Sequence, residues 1–137
     1  MKKLRAQRID VYQVDRFIAS ATKKLAAAKK TLDIDEEASY QLAYESMLKV
    51  SLGFMLSFGV RPRSLPGHHV TIIEFVEKRL GKENENLVAM FDRMRRKRHQ
   101  AIYDVTGLIS RQEAQHALEI AERYVSIIRR AVTRGNP

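Results

Sequence analysis

The sequence predicts an all-α fold, an up-and-down helical bundle of four long helices plus one short crossover helix. Three observations carry that expectation. Apolar residues recur at helical spacing in every long segment, and no run alternates as a strand would. The breaks are few: an acidic pair at Asp33 and Asp35, a Gly/Pro loop at 59–67, then Gly81 and Gly107. At 137 residues with 45% hydrophobic content, the chain suits one domain, 1–137, with a core of its own. Residues 1–10 and 134–137 are expected to be frayed termini.

The first helix is placed from about Val11 to Leu32. Phe17, Ala21, Leu25 and Ala28 share one face, with Lys23, Lys24, Lys29 and Lys30 outside. Asp33 and Asp35 break it, and Asp35 suits the cap of a second helix whose first turn holds Glu36 and Glu37. That second helix, about Glu36 to Phe58, is apolar nearly all round, which predicts a central position. Glu45 and Lys49 are its few charges, and Tyr40 and Tyr44 lie one turn apart. The loop GVRPRSLPG follows, with Arg61 and Arg63 in it. A short third helix covers His68 to Leu80, with Ile72, Ile73, Phe75 and Val76 inward, and Gly81 ends it. A fourth begins near Glu83 and is interrupted at Gly107. Ser110 and Glu113 form a capping box for a fifth. There Ala114, Ala117, Leu118, Ala121, Val125, Ile128 and Val132 make one face, and Arg129, Arg130 and Arg134 close it.

Charge narrows the function. The net charge is +9 and the pI ≈ 10.0. Such an excess suits a polyanion: RNA or another nucleic acid, a nucleotide, or an acidic protein. Cysteine is absent, which removes disulfides and thiolate chemistry. No apolar h-region follows the basic N-terminus. The longest apolar-rich run, Val50 to Val60, is too short to span a bilayer and carries Ser51, Gly53, Ser57 and Gly59. The expectation is a cytoplasmic protein with no membrane contact.

The most informative stretch is DRMRRKRHQAIYD, from Asp92 to Asp104. Five of the six residues from Arg93 to Arg98 are basic. On a helix, Leu87, Phe91, Met94, Ala101, Ile102 and Val105 form an apolar stripe, and Arg98 falls near its middle. A guanidinium there needs an acidic partner or a polar cleft. Arg95, His99 and Tyr103 line the polar edge beside it, four residues apart. Arg93, Arg95, Arg96 and Lys97 are candidate phosphate-binding residues.

The order long, long, loop, short, long, long, together with this stretch, resembles a HEPN domain. HEPN domains are small all-α domains of prokaryotic toxins and RNA-processing systems. The resemblance covers roughly Val11 to Val132, and the GHH at Gly67–His69 adds to it. The family motif is an arginine, commonly a polar residue, about three more residues, then histidine. In this chain Arg98 stands at the arginine place, His99 at the polar place, and Tyr103 where the motif has histidine. A looser match pairs Arg93 with His99 across five residues, but Arg93 then points about 140° away from Arg98 on the helix.

The resemblance implies metal-independent RNA cleavage with no cofactor, in which the 2′-hydroxyl attacks the neighbouring phosphorus. Arg98 would neutralise the phosphate, His99 would transfer a proton, and Tyr103 would donate a hydrogen bond. It also implies a homodimer with both motifs facing one cleft, and a nucleotidyltransferase-type antitoxin as partner. Two functions follow: an endoribonuclease toxin of a toxin–antitoxin module, or a non-catalytic module for RNA, a nucleotide or that partner. Each residue has a plainer reading too. The arginines can be a solvated face, Arg98 can pair internally with Glu45, and Tyr103 can be a core residue. His68 and His69 can be metal ligands, but no ligand spacing accompanies them and the start of a helix suits them better.

Overall fold

Acidic caps start the first two helices. Asp10 accepts hydrogen bonds from the backbone N–H groups of Tyr12 and Gln13 and opens α1 (Val11–Thr31). Asp35 accepts from the Ala38 N–H and opens α2 (Glu36–Ser57), with Glu36 and Glu37 in the first turn. The computed structural model describes residues 3–63, 67–104 and 109–135, with side chains as far as Thr133. Val105, Gly107, residues 64–66 of the loop, the Arg134 side chain and residues 136–137 lie outside the described residues.

α2 is the central helix, as its all-round apolar sequence implies: Tyr40, Tyr44, Met47, Val50, Phe54 and Met55 are all buried. Gly53 sets how closely α1 can approach it. A Cβ at that position would lie 3.1 Å from Phe17 Cβ and 3.4 Å from the Val14 carbonyl oxygen. Ser39 Oγ donates to the Ala28 carbonyl at 2.7 Å and ties the helices at their other end. α3 (His68–Leu80) lies between Gly67 and Gly81, both at positive φ. A single 3₁₀ turn, Lys82–Asn84, precedes α4 (Glu85–Tyr103), so the fourth helix starts two residues later than its sequence suggests. α4 also ends at Tyr103, where the Asp104 N–H still reaches the Gln100 carbonyl. The capping box forms: Ser110 Oγ accepts from the Glu113 N–H, and Glu113 Oε1 from the Ser110 N–H, both at 3.0 Å. It opens α5 (Arg111–Gly135), which buries Tyr124 against α2. The Tyr124 hydroxyl lies 2.6 Å from Ser51 Oγ, and burial holds its phenol well above the ordinary range.

One element corrects the expectation of helices alone. β1 (Leu4–Ala6) pairs antiparallel with β2 (Val60–Pro62), in the register Leu4 with Pro62, Arg5 with Arg61 and Ala6 with Val60. The Gln7 N–H donates to the Gly59 carbonyl at 2.8 Å, and the Arg63 N–H to the Lys3 carbonyl at 3.0 Å. Leu4 and Val60 pack against the core, so residues 3–7 are held rather than frayed. Three-residue strands are too short to show alternation, and Pro62 and two glycines around β2 read as loop. Among the described residues no helix is long and apolar enough to cross a membrane.

Candidate functional site

α4 buries Leu87, Phe91, Met94 and Ala101 of the expected stripe, with Val88 beside them, while Val105 lies outside the described residues. Its last two residues lie beyond the packed surface. Ile102 is 45% exposed and Tyr103 is 73% exposed, so neither is a core residue. Arg98 sits half-buried on the stripe. The internal ion pair with Glu45 does not form, because Lys24 Nζ holds Glu45 Oε1 at 3.1 Å. The Arg98 guanidinium carbon lies 5.5 Å from the centre of the Tyr44 ring instead. A π face offsets part of the cost of drying a cation. Arg98 Nε is buried with no hydrogen-bond partner among the described residues. A buried, unmet N–H is costly, and a bound acceptor would remove that cost.

The other basic residues of α4 differ sharply in their partners. Arg95 Nε donates to Asp92 Oδ1 at 2.9 Å, and Arg96 Nη1 lies 3.6 Å from Asp92 Oδ2. Lys97 Nζ is 3.3 Å from Glu113 Oε2 on α5. Arg93 faces another way, into a groove of about 210 Å³ between α4 and α5 with Tyr40, Glu113 and His116. Burial first, then the Glu113 carboxylate, pushes the Tyr40 phenol up to about 12, against the opposing charge of Arg93.

Arg95, Arg98 and His99 line an open cleft of about 380 Å³ together with Gly67, His68, His69 and Val70. The cleft therefore joins α4 to the beginning of α3. Tyr103 does not line it, but its ring lies 4.7 Å from that of His99 and braces the imidazole. The histidines of α3 are the residues that sequence reasoning placed only at a helix start. His69 Nδ1 is 3.0 Å from the Tyr44 hydroxyl, and the His68 ring stands edge-on 4.5 Å from that of His69. Burial lowers the His69 pKa to about 4, with His68, Arg98 and Arg95 adding to the effect. The ring is thus neutral at neutral pH, with one nitrogen a donor and the other an acceptor. Burial likewise keeps the Tyr44 phenol protonated, its pKa well above the ordinary value. The contact spans 25 residues of sequence, and no local spacing reports it. The clue was a Gly-His-His after a proline loop, opposite a tyrosine on a helix apolar all round.

α3 also begins at the cleft without a side-chain cap, so the positive end of its dipole adds to the charge of the guanidiniums. The arrangement can hold an anion between a planar fork and a helix start, with three imidazoles around it. Among the described residues no group of three His, Asp or Glu side chains converges as metal ligands would.

A family model described as HEPN domain matches residues 14–131. No curated protein matches the chain.

Proposed function

Since the chain belongs to the HEPN domain family, we propose that it acts on RNA as a metal-independent endoribonuclease, the toxin of a toxin–antitoxin module. The observation that carries this reading is Arg98, whose buried Nε lacks a partner among the described residues and whose cleft holds three histidines. A phosphate there would take two hydrogen bonds from the fork of Arg98 and lie near Arg95. Cleavage moves one proton off the 2′-hydroxyl as its oxygen attacks phosphorus, and one onto the 5′-oxygen as the P–O bond breaks. His69, neutral at neutral pH, is the acceptor when its Tyr44-facing nitrogen carries the hydrogen. His99, starting in its cationic form, donates a separate proton to the leaving oxygen, with Tyr103 packed against its ring. Exchange with solvent resets both imidazoles. A pKa of about 4 makes His69 a weak base in the free protein. The phosphate opposes the cations that depress it, and so raises its basicity on binding. Arg93, Arg96 and Lys97 act outside the cleft as contacts for the flanking strand.

A second reading, a non-catalytic module for RNA, a nucleotide or a partner nucleotidyltransferase, is favoured by one observation. Tyr103 occupies the motif's histidine place and is exposed outside the cleft. Incubation of the purified protein with total RNA in EDTA, beside an Arg98→Ala control, separates the readings. Cleavage by the parent alone supports the enzyme. Binding without cleavage supports the RNA-binding module, and neither binding nor cleavage refutes both RNA-directed readings.

A further inference from the structure

The β1–β2 ribbon and the residues flanking it carry charge of one sign. Residues 3–8 and 60–63 carry Lys3, Arg5, Arg8, Arg61 and Arg63 and no acidic residue, in a chain of net charge +9. All five side chains are exposed, and none has a carboxylate within ion-pair distance among the described residues. α4 looks more basic in sequence, yet three of its five cations are held by Asp92 and Glu113.

The register makes the concentration sharper. Leu4 and Val60 turn inward onto the core, so Arg5 and Arg61 both turn outward. They are direct cross-strand partners. Side chains so paired stand about 5 Å apart at Cβ, and like charges there oppose the pairing. A fold that only needed a clasp at this edge would be better served by one arginine and one acid. The ribbon also lies near the cleft. Arg63 is four residues before Gly67, which lines it, so covalent geometry keeps those backbones within about 14 Å. About four stacked nucleotides cover that span at roughly 3.4 Å each.

We propose that the β1–β2 ribbon binds the phosphodiester backbone of an RNA strand whose scissile or anchored phosphate lies in the Arg98 cleft. The contact is electrostatic and blind to sequence, and it extends the footprint beyond what the cleft alone can hold. It rests on the functional reading that RNA is the ligand and that the Arg98 cleft holds one of its phosphates, and the Arg98→Ala arm below tests that premise apart from the ribbon.

The test is binding of a fluorescent single-stranded RNA of about 16 nucleotides, and of a dinucleotide too short to reach from cleft to ribbon, across a salt series. The parent is compared with an Arg5→Gln/Arg61→Gln double variant and with Arg98→Ala. For the longer RNA the double variant should bind roughly tenfold more weakly, and its log–log salt slope should fall by about 1.4, or about 0.7 per lost contact. Binding of the shorter RNA should be unchanged. The melting temperature should stay level or rise, since two like charges no longer face each other. A Lys3→Gln/Arg63→Gln pair, outside the three ladder positions, repeats the test if the first pair disturbs folding. Unchanged affinity and slope for the longer RNA in a folded ribbon variant overturn the proposal. So does a variant that binds RNA normally but no longer binds poly-L-glutamate, since the surface would then suit an acidic protein. A loss with the ribbon variant beside normal binding by Arg98→Ala leaves the ribbon standing and removes the cleft.

Discussion

Replacing Arg98 by alanine should weaken RNA binding while leaving the fold almost unchanged. No carboxylate is stranded, because Glu45 keeps its pair with Lys24 at 3.1 Å. What is lost is the contact with the Tyr44 ring at 5.5 Å, of order 0.5–2 kcal/mol. What is removed with it is a buried Nε without a partner among the described residues, a defect of about 1–3 kcal/mol. The two offset, so stability should change by no more than about 1 kcal/mol, or a shift in Tm under about 5 °C. A charge-assisted contact to phosphate is worth about 1.5–3 kcal/mol, which makes binding about 10- to 150-fold weaker. The salt slope for a single strand should fall by about 0.7. Arg98→Lys keeps the charge and loses the planar fork, so it should fall between parent and alanine. Calorimetry and fluorescence anisotropy on the same preparations read both quantities. A Tm lowered by roughly 10–20 °C, the signature of an uncompensated buried charge, with RNA bound normally, would refute the reasoning and leave Arg98 structural.

Ser51→Ala should destabilise more than Tyr124→Phe: alanine strands a buried phenol whose hydroxyl is 2.6 Å from Ser51 Oγ, at about 1–3 kcal/mol. Phenylalanine leaves Ser51 bonded to the Met47 carbonyl, at about 1 kcal/mol, and denaturant midpoints in the reverse order would sink this account. Folded His69 takes up its proton near 4 rather than 6.5, so the unfolded chain binds more protons between those values. Stability from this group is whole above 6.5 and lost as pH falls towards 4. The ring is only half-buried, so screening leaves about 1 kcal/mol of it, and the Tm advantage over His69→Gln should shrink by roughly 3–4 °C across that window. Parallel Tm curves would show that the ring titrates alike in both states. The protein should also be a two-fold dimer joined through the exposed apolar rim at Ile102 and Tyr103, with the arginines facing the groove; sedimentation that finds only monomer at high concentration would exclude it.

The helices were legible because each carries its own signals. Asp35 and the Ser110–Glu113 box fix two starts, and Gly81 closes α3. Periodicity likewise put Arg98 on a buried stripe and Arg93 away from it. It could not show which acid was free, because Glu45 is claimed by Lys24 from a neighbouring helix. The Tyr44–His69 contact was invisible for the same reason, as it exists only once α3 packs on α2. Ile102 and Tyr103 continue the stripe in sequence but lie where nothing covers them, and periodicity says which way a residue points rather than what it meets. The ribbon escaped notice because its strands are shorter than one period of evidence.

The pairing of Ala6 with Val60 spans the whole α1–α2 hairpin. Closing so long a loop in an unfolded chain is entropically costly, but once the two helices pack, its ends already lie together. The ribbon should therefore form late, after the hairpin, and open early, without the bundle coming apart. The amides of Gln7 and Arg63, which donate across it, should exchange with solvent through that small opening. Those of α2 around Tyr44 should wait for global unfolding. The chain thus has two lifetimes: a slow one for the body that carries the cleft, and a fast one for the clasp that carries the exposed arginines.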